Sequence, residues 1–168
     1  IAYFKNDADF NKKLCIDFTG HMQLNDNWQV TFSTGTVPQQ FLSYELWESI
    51  IKKETGLDEV FIGPHHTDLN RDSAPDLLGG MTTGVTELVK KCCKTLQEKR
   101  INVPLPFEFS KSINPNELMN TIAWGAAAVE ISMDMSTYTP KIESVWTCFD
   151  CGAKNNEDLM KKSLYKQV

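Results

Sequence analysis

The chain has 168 residues, of which 41% are hydrophobic and 23% charged, the balance of a globular protein rather than a disordered one. At this length one domain buries roughly 70% of its unfolded surface and needs no crosslink merely to fold. The 17 basic against 22 acidic residues, a net charge of −5 with Arg71 and Arg100 the only arginines, argue against the concentrated basic face that nucleic acid requires, and no apolar run approaches the roughly 18 residues of a membrane span.

In chain order, residues 1–12 are polar with scattered aromatics (Tyr3, Phe4, Phe10) and read as an arm. Leu14, Ile16 and Phe18 alternate with Cys15 and Asp17, and residues 21–24 extend this first strand. Asn25-Asp26-Asn27 is a turn, and Trp28, Val30 and Phe32 alternate on a returning strand, which makes a hairpin. From Pro38 a helical stripe runs through Phe41, Leu42, Leu46, Trp47, Ile50 and Ile51, with Gly56 placed to end it. Residues 57–62 form a short apolar strand, and residues 63–84 have no period at all. A loop of that length inside a compact domain is usually functional or disordered.

The strongest unit follows. Val85, Leu88, Val89, Cys92 and Leu96 fall on one stripe of a 3.6-residue period, and Ile101, Val103, Leu105, Phe107 and Phe109 then alternate as a strand. Pro104 and Pro106 on its other face confine that strand to a sheet edge or rim. Asn114-Pro115 with Glu117 reads as a helix start, carried on by Leu118, Ile122 and the adjoining alanines. Val129, Ile131, Met133 and Met135 alternate as a strand, Thr139-Pro140 turns the chain, residues 142–146 make another strand, and residues 154–168 are a charged, weakly helical tail. The order lacks a regular βαβ repeat and predicts an α+β fold: an antiparallel or mixed sheet with about three helices packed on one side, in a single domain.

Five cysteines set the chemistry to be weighed. Cys92 and Cys93 are adjacent on the long helix, and Cys148 and Cys151 form a Cys-x2-Cys. Two disulfides between these pairs would each close a loop of ~55 residues, worth about 4 kcal/mol on the chain-entropy model. Cys15 would stay free or pair between chains. Such a frame belongs to an oxidising compartment, and Ile1 in place of an initiator methionine fits a processed mature form or an excised domain. The absence of any Asn-x-Ser/Thr sequon pulls the other way, and a cytoplasmic protein with free thiols is the alternative. The run Trp146-Thr-Cys148-Phe-Asp-Cys151-Gly-Ala-Lys-Asn155 resembles the first half of a zinc-ribbon knuckle, without a second Cys-x2-Cys downstream.

The irregular loop holds the polar candidates: His65, His66, Asp68, Asn70, Arg71, Asp72 and Asp76. Imidazoles and carboxylates this close in sequence can ligate a divalent ion, with His65, His66, Asp68 and Asp76 as the ligand set, although the spacing matches no known signature. There is no Gly-x-Ser-x-Gly elbow, phosphate loop or dinucleotide fingerprint. The leading expectation is therefore a non-enzymatic, secreted, disulfide-bonded binding protein without cofactor that recognises a protein or small-ligand partner through residues 63–80. The alternatives are a divalent-metal-dependent hydrolase using the same loop, and an intracellular zinc-knuckle adaptor.

Overall fold

A computed structural model describes residues 2–7, 17–35, 37–38, 42–65, 68–71, 80–114, 122–150, 152 and 156–166. The strands are β1 (Ala2–Asp7), β2 (Phe18–Leu24), β3 (Val30–Thr34), β4 (Val60–Ile62), β5 (Phe107–Ile113), β6 (Ile122–Asp134) and β7 (Thr139–Asp150). The helices are α1 (Ser43–Thr55), α2 (Gly80–Asn102) and α3 (Glu157–Lys166). The α+β class expected from the sequence is the class of the structure. Its strands form two sheets, a four-stranded one in the order β4-β3-β2-β5 and a three-stranded one in the order β1-β6-β7. The chain divides into two compact units, Ile1–Ala8 with Asn120–Lys154 and Asp9–Met119 with Asn155–Val168.

The larger unit holds the mixed sheet. Strands β2 and β3 form the expected hairpin, β5 pairs antiparallel with the other edge of β2, and β4 runs parallel to β3. One sheet face carries Phe18, Met22, Leu24, Val30, Phe32, Phe107, Phe109 and Ile113, all buried against Trp47, Ile50 and Ile51 of α1 and Val85, Leu88, Val89, Cys92, Cys93 and Leu96 of α2. The stripe read from the sequence of α2 is the buried one. At Gly84 the helix lies so close to the sheet that a Cβ would collide with the Phe18 ring. Gly56 ends α1 in the left-handed region at φ 70°, its N–H donating to the Lys52 carbonyl. The carbonyls of Glu54 and Thr55 beside it accept from the Gln97 amide and the Arg100 guanidinium of α2, so the negative end of α1 is met by donors from its neighbour.

The smaller unit is an antiparallel sheet in which β6 pairs with β1 on one side and β7 on the other. The ladder is interrupted once, between Glu130 and Ile131, where Glu143 is the extra residue on β7. Val129, Ile131 and Met133 of β6 share a face with Phe149, Val145 and Ile142 of β7. All six are between 40% and 66% exposed. The opposite face carries Trp124, Trp146 and Cys148 with the charged groups Glu130, Lys141 and Glu143, the last accepting from Ser132 Oγ and Lys141 Nζ.

Three local expectations are corrected. Residues 126–128, an alanine run read as helical, lie inside β6, because pairing with strands on both sides outweighs alanine's preference for helix. Residues 101–106 are not strand: α2 runs to Asn102 and the ladder begins only at Phe107, past both prolines. Residues 2–7, read as an arm, form β1. The helix start at Asn114-Pro115 leads into residues outside those described.

Candidate functional site

The polar loop is laced to the end of β3. Strand β4 pairs with β3 only as far as Ile62 opposite Phe32, after which the Gly63 N–H donates to the Phe32 carbonyl. One step further along β3 the ring of His65 stands where another strand residue would: its Nδ1 lies 2.8 Å from the Thr34 carbonyl oxygen and 3.3 Å from the Thr34 nitrogen. The shorter contact suits an Nδ1–H donating to the carbonyl, which leaves Nε2 as an acceptor. That Nε2 is buried and has no partner among the described residues. The ring stacks on Tyr44 with centroids 5.6 Å apart, and Tyr44 meets Trp47 edge-on at 5.8 Å. Burial raises the Tyr44 phenol above its ordinary value.

Asn70 is the second anchor. It is 2% exposed, its Nδ2 donates to Ser33 Oγ at 3.0 Å, and its Oδ1 is buried without a partner among the described residues. Ser33 faces away from the helices, so Asn70 lies over the outer face of the sheet. Thr34 Oγ1 donates to the Thr19 carbonyl, and Thr19 Oγ1 donates to the Arg71 carbonyl, fixing the loop from a second strand. Buried acceptors left unpaired cost about 1–3 kcal/mol each.

Of the seven loop residues singled out in the sequence, His65 and Asn70 are thus turned inward while Asp68 and Arg71 stand exposed. His66, Asp72 and Asp76 lie outside the described residues. Among the described residues no three His, Cys, Asp or Glu side chains converge on one point; of the ion-ligand set His65, His66, Asp68 and Asp76, His66 and Asp76 lie outside those residues, and His65 has its Nδ1 against Thr34. Sequence reasoning missed Thr19, Ser33 and Thr34, whose roles come from strand register rather than from any motif, and Tyr44, which the first turn of α1 sets against His65. It also missed a second polar group on the same sheet face. There His21 of β2 has Nδ1 3.1 Å from Ser110 Oγ and Nε2 3.4 Å from a Glu108 carboxylate oxygen, both partners on β5.

The cysteines correct the covalent frame. Cys92 and Cys93 are free thiols buried in the core, and Cys148 is a free thiol exposed on β7; Cys15 and Cys151 lie outside the described residues. Burial pushes both core thiols up to about 12, which makes them small apolar side chains rather than nucleophiles. Cys148 sits in a regular ladder opposite Ala126, not in the tight turn that a zinc knuckle needs.

No protein-family model matches the chain, and no curated protein matches it by sequence. Solved structures do match in fold. The Cu,Mo-CO dehydrogenase in its carbon monoxide reduced state aligns with a TM-score of 0.72 at 13% identity, over 86% of this chain and 24% of that one. Reconstituted CO dehydrogenase from Oligotropha carboxidovorans gives 0.68 at 14% identity, again over 86% of this chain and 24% of that one. The aldehyde oxidoreductase from Desulfovibrio desulfuricans gives 0.58 at 13% identity over 86% of this chain and 19% of that one. At such identities the likeness is one of fold, and the chain spans about a quarter or less of the chains it resembles.

These matches overturn the leading expectation. The fold recurs within chains of a CO dehydrogenase and of an aldehyde oxidoreductase, against the expectation of a non-enzymatic binding module. One of those enzymes is named for copper and molybdenum, so a cofactor-free reading is withdrawn, as are the hydrolase and zinc-adaptor alternatives. The extracellular reading rested on two disulfides, and the described cysteines are free thiols. No described helix is long and apolar enough to cross a membrane.

Proposed function

We propose that this chain is one segment of a larger oxidoreductase, and that the loop of residues 63–71 contributes hydrogen-bonding groups to the wall of its redox site. The observation that carries the reading is the extent of the fold match: 86% of the chain follows carbon monoxide dehydrogenase chains at TM-scores of 0.72 and 0.68 while filling 24% of them. The uncharged apolar face of β6 and β7 supports it, since a sheet with one bare apolar face is an incomplete layer.

The side chains at the loop suit a neutral polar contact better than metal ligation. Asn70 Oδ1 and His65 Nε2 are neutral acceptors that hold no charge to neutralise, so a bound cofactor or substrate would be oriented by its own N–H or O–H groups. Ser33 and Thr34 hold the two acceptors in place through the sheet. The cofactor, when bound, would supply the electron transfer; these residues would position it and keep water from the buried acceptors.

The test uses the intact polypeptide that contains this chain. Molybdenum and copper are measured by mass spectrometry, and dye reduction is followed with carbon monoxide or an aldehyde as donor. Stoichiometric metal together with a roughly tenfold or greater loss of kcat/KM in Asn70→Ala, the scale set by one well-placed hydrogen bond, is the expected result. Intact protein that holds no redox cofactor and reduces no acceptor would overturn the reading.

A further inference from the structure

The outer face of the mixed sheet carries three side chains, His21, Glu108 and Ser110, that the redox reading does not use. Ser33, His21 and Ser110 form one row across β3, β2 and β5, since His21 pairs with Ser33 on one side and with Ser110 on the other. Both ring nitrogens of His21 are engaged by β5. Glu108 can only accept, so its carboxylate 3.4 Å from Nε2 favours the tautomer with the proton on Nε2. Nδ1 is then a bare lone pair, and it lies 3.1 Å from Ser110 Oγ. The hydroxyl therefore donates toward the imidazole rather than the reverse. The His21 side chain is only 15% exposed, held between strands, while Ser110 is open to solvent.

We propose that Ser110, His21 and Glu108 constitute an acyl-transfer site, with Ser110 as nucleophile, His21 as general base and Glu108 as the residue that sets its tautomer. This is the logic of a nucleophile, a base within hydrogen-bond reach and a third group that orients the base. Ser110 Oγ bonds to the carbonyl carbon of an ester as its proton passes to His21 Nδ1, and the imidazolium is stabilised by the Glu108 carboxylate. Collapse of the tetrahedral adduct breaks the bond to the leaving oxygen, which takes the proton from Nδ1 and departs as an alcohol. Water then attacks the acyl-serine with the same base, releases the carboxylic acid and restores Ser110, so the sum is ester plus water giving acid plus alcohol.

The same face selects the acyl group. The side chains flanking the row on β2, β3 and β5 are Thr19, Gln23, Thr31 and Ser112, all polar, and Asn70 covers Ser33 at one end of it. A short acyl group fits such a surface and a long aliphatic one gains nothing from it. Acetyl esters are the expected class.

The chain carries its own control. Ser112 is exposed on the same strand and face two residues along, where its partner is Thr19 rather than a histidine. The experiment exposes the protein to p-nitrophenyl acetate and to p-nitrophenyl octanoate, follows nitrophenolate release, and maps the acetylated residue by peptide mass spectrometry. The expected outcome is a burst of about one equivalent with the acetyl group on Ser110 and a slower reaction with the octanoate. Ser110→Ala should remove the burst, and His21→Gln should slow acylation by about 10²–10⁴-fold. Glu108→Gln should slow acylation with no change in apparent KM. Far-ultraviolet circular dichroism reports folding, and Ser110→Ala, an exposed position, keeps the test valid should His21→Gln fail to fold. Equal acetylation of Ser110 and Ser112, a burst that survives Ser110→Ala, or no acetyl-serine at all would overturn the proposal.

Discussion

The two compact units treat the same alternating pattern in opposite ways. In the larger, every second residue of β2, β3 and β5 faces inward, and the resulting layer of Phe18, Met22, Leu24, Val30, Phe32, Phe107, Phe109 and Ile113 is sealed by α1 and α2. In the smaller, Val129, Ile131, Met133, Ile142, Val145 and Phe149 line one face of a sheet just as regular, yet all six are at least 40% exposed. Alternation dictates which side chains share a face; whether that face is buried depends on a second layer. The first sheet has its layer within this chain. The second has an apolar face that no second layer closes among the described residues.

The comparison breaks most visibly at its tryptophans. Trp47 is fully buried and Trp146 is 56% exposed, so Trp47→Ala should cost about 3–5 kcal/mol in urea unfolding, whereas Trp146→Ala should stay within about 0.5 kcal/mol. Similar losses for both would mean that the two sheets are equally integrated. Alkaline pH tests the sealed side next. Cys92 and Cys93 are raised to about 12 in the fold against an ordinary thiol near 8.5. Between these values the unfolded chain has released both protons and the native state has kept them, so stability is whole below about pH 8.5 and falls as pH climbs toward 12. The slope from the two thiols approaches about 3 kcal/mol per pH unit, and Cys92→Ala/Cys93→Ala should flatten it.

A smaller effect is expected at the helix–sheet contact. Gly84→Ala places a Cβ against the Phe18 ring and should cost about 1–3 kcal/mol through overpacking; an unchanged melting temperature would show that α2 can lift off the sheet freely. The smallest effect belongs to the bare face. Ile131→Lys and Ile142→Lys should each move the stability of the isolated chain by about 0.5 kcal/mol or less while reducing its self-association in sedimentation. Large destabilisation by either would mean that the exposed face is already covered within this chain.

How much was legible in the sequence follows the same division. The stripe of α2 at Val85, Leu88, Val89, Cys92 and Leu96, the stripe of α1 ended by Gly56 and the β2–β3 hairpin were readable because their apolar spacing matches the period of the element they form. Ala126, Ala127 and Ala128 misled because alanine's local preference is helical and only the flanking strands, remote in sequence, reverse it. Ile101 and Val103 misled because alternation continued by chance through the end of α2. At the candidate site, the loop and its polar residues were visible, but Asn70 against Ser33 and His65 against Thr34 depend on strand register. So does the row from Ser33 through His21 to Ser110, in which no two residues are close in sequence.

The distribution of thiols gives this protein two clocks. Cys92 and Cys93 are sealed in the core of one unit and Cys148 lies open on a strand of the other. A thiol reagent reaches the first two only in molecules that have transiently opened, so their labelling rate counts openings of that unit, in plain buffer and without denaturant. Cys148 reacts from the folded state and marks the moment at which reagent was present. Read peptide by peptide, a single labelling course would time the breathing of one sheet against the surface of the other, and a ligand that settled on the loop beside β3 would announce itself as a slowing of the hidden pair alone.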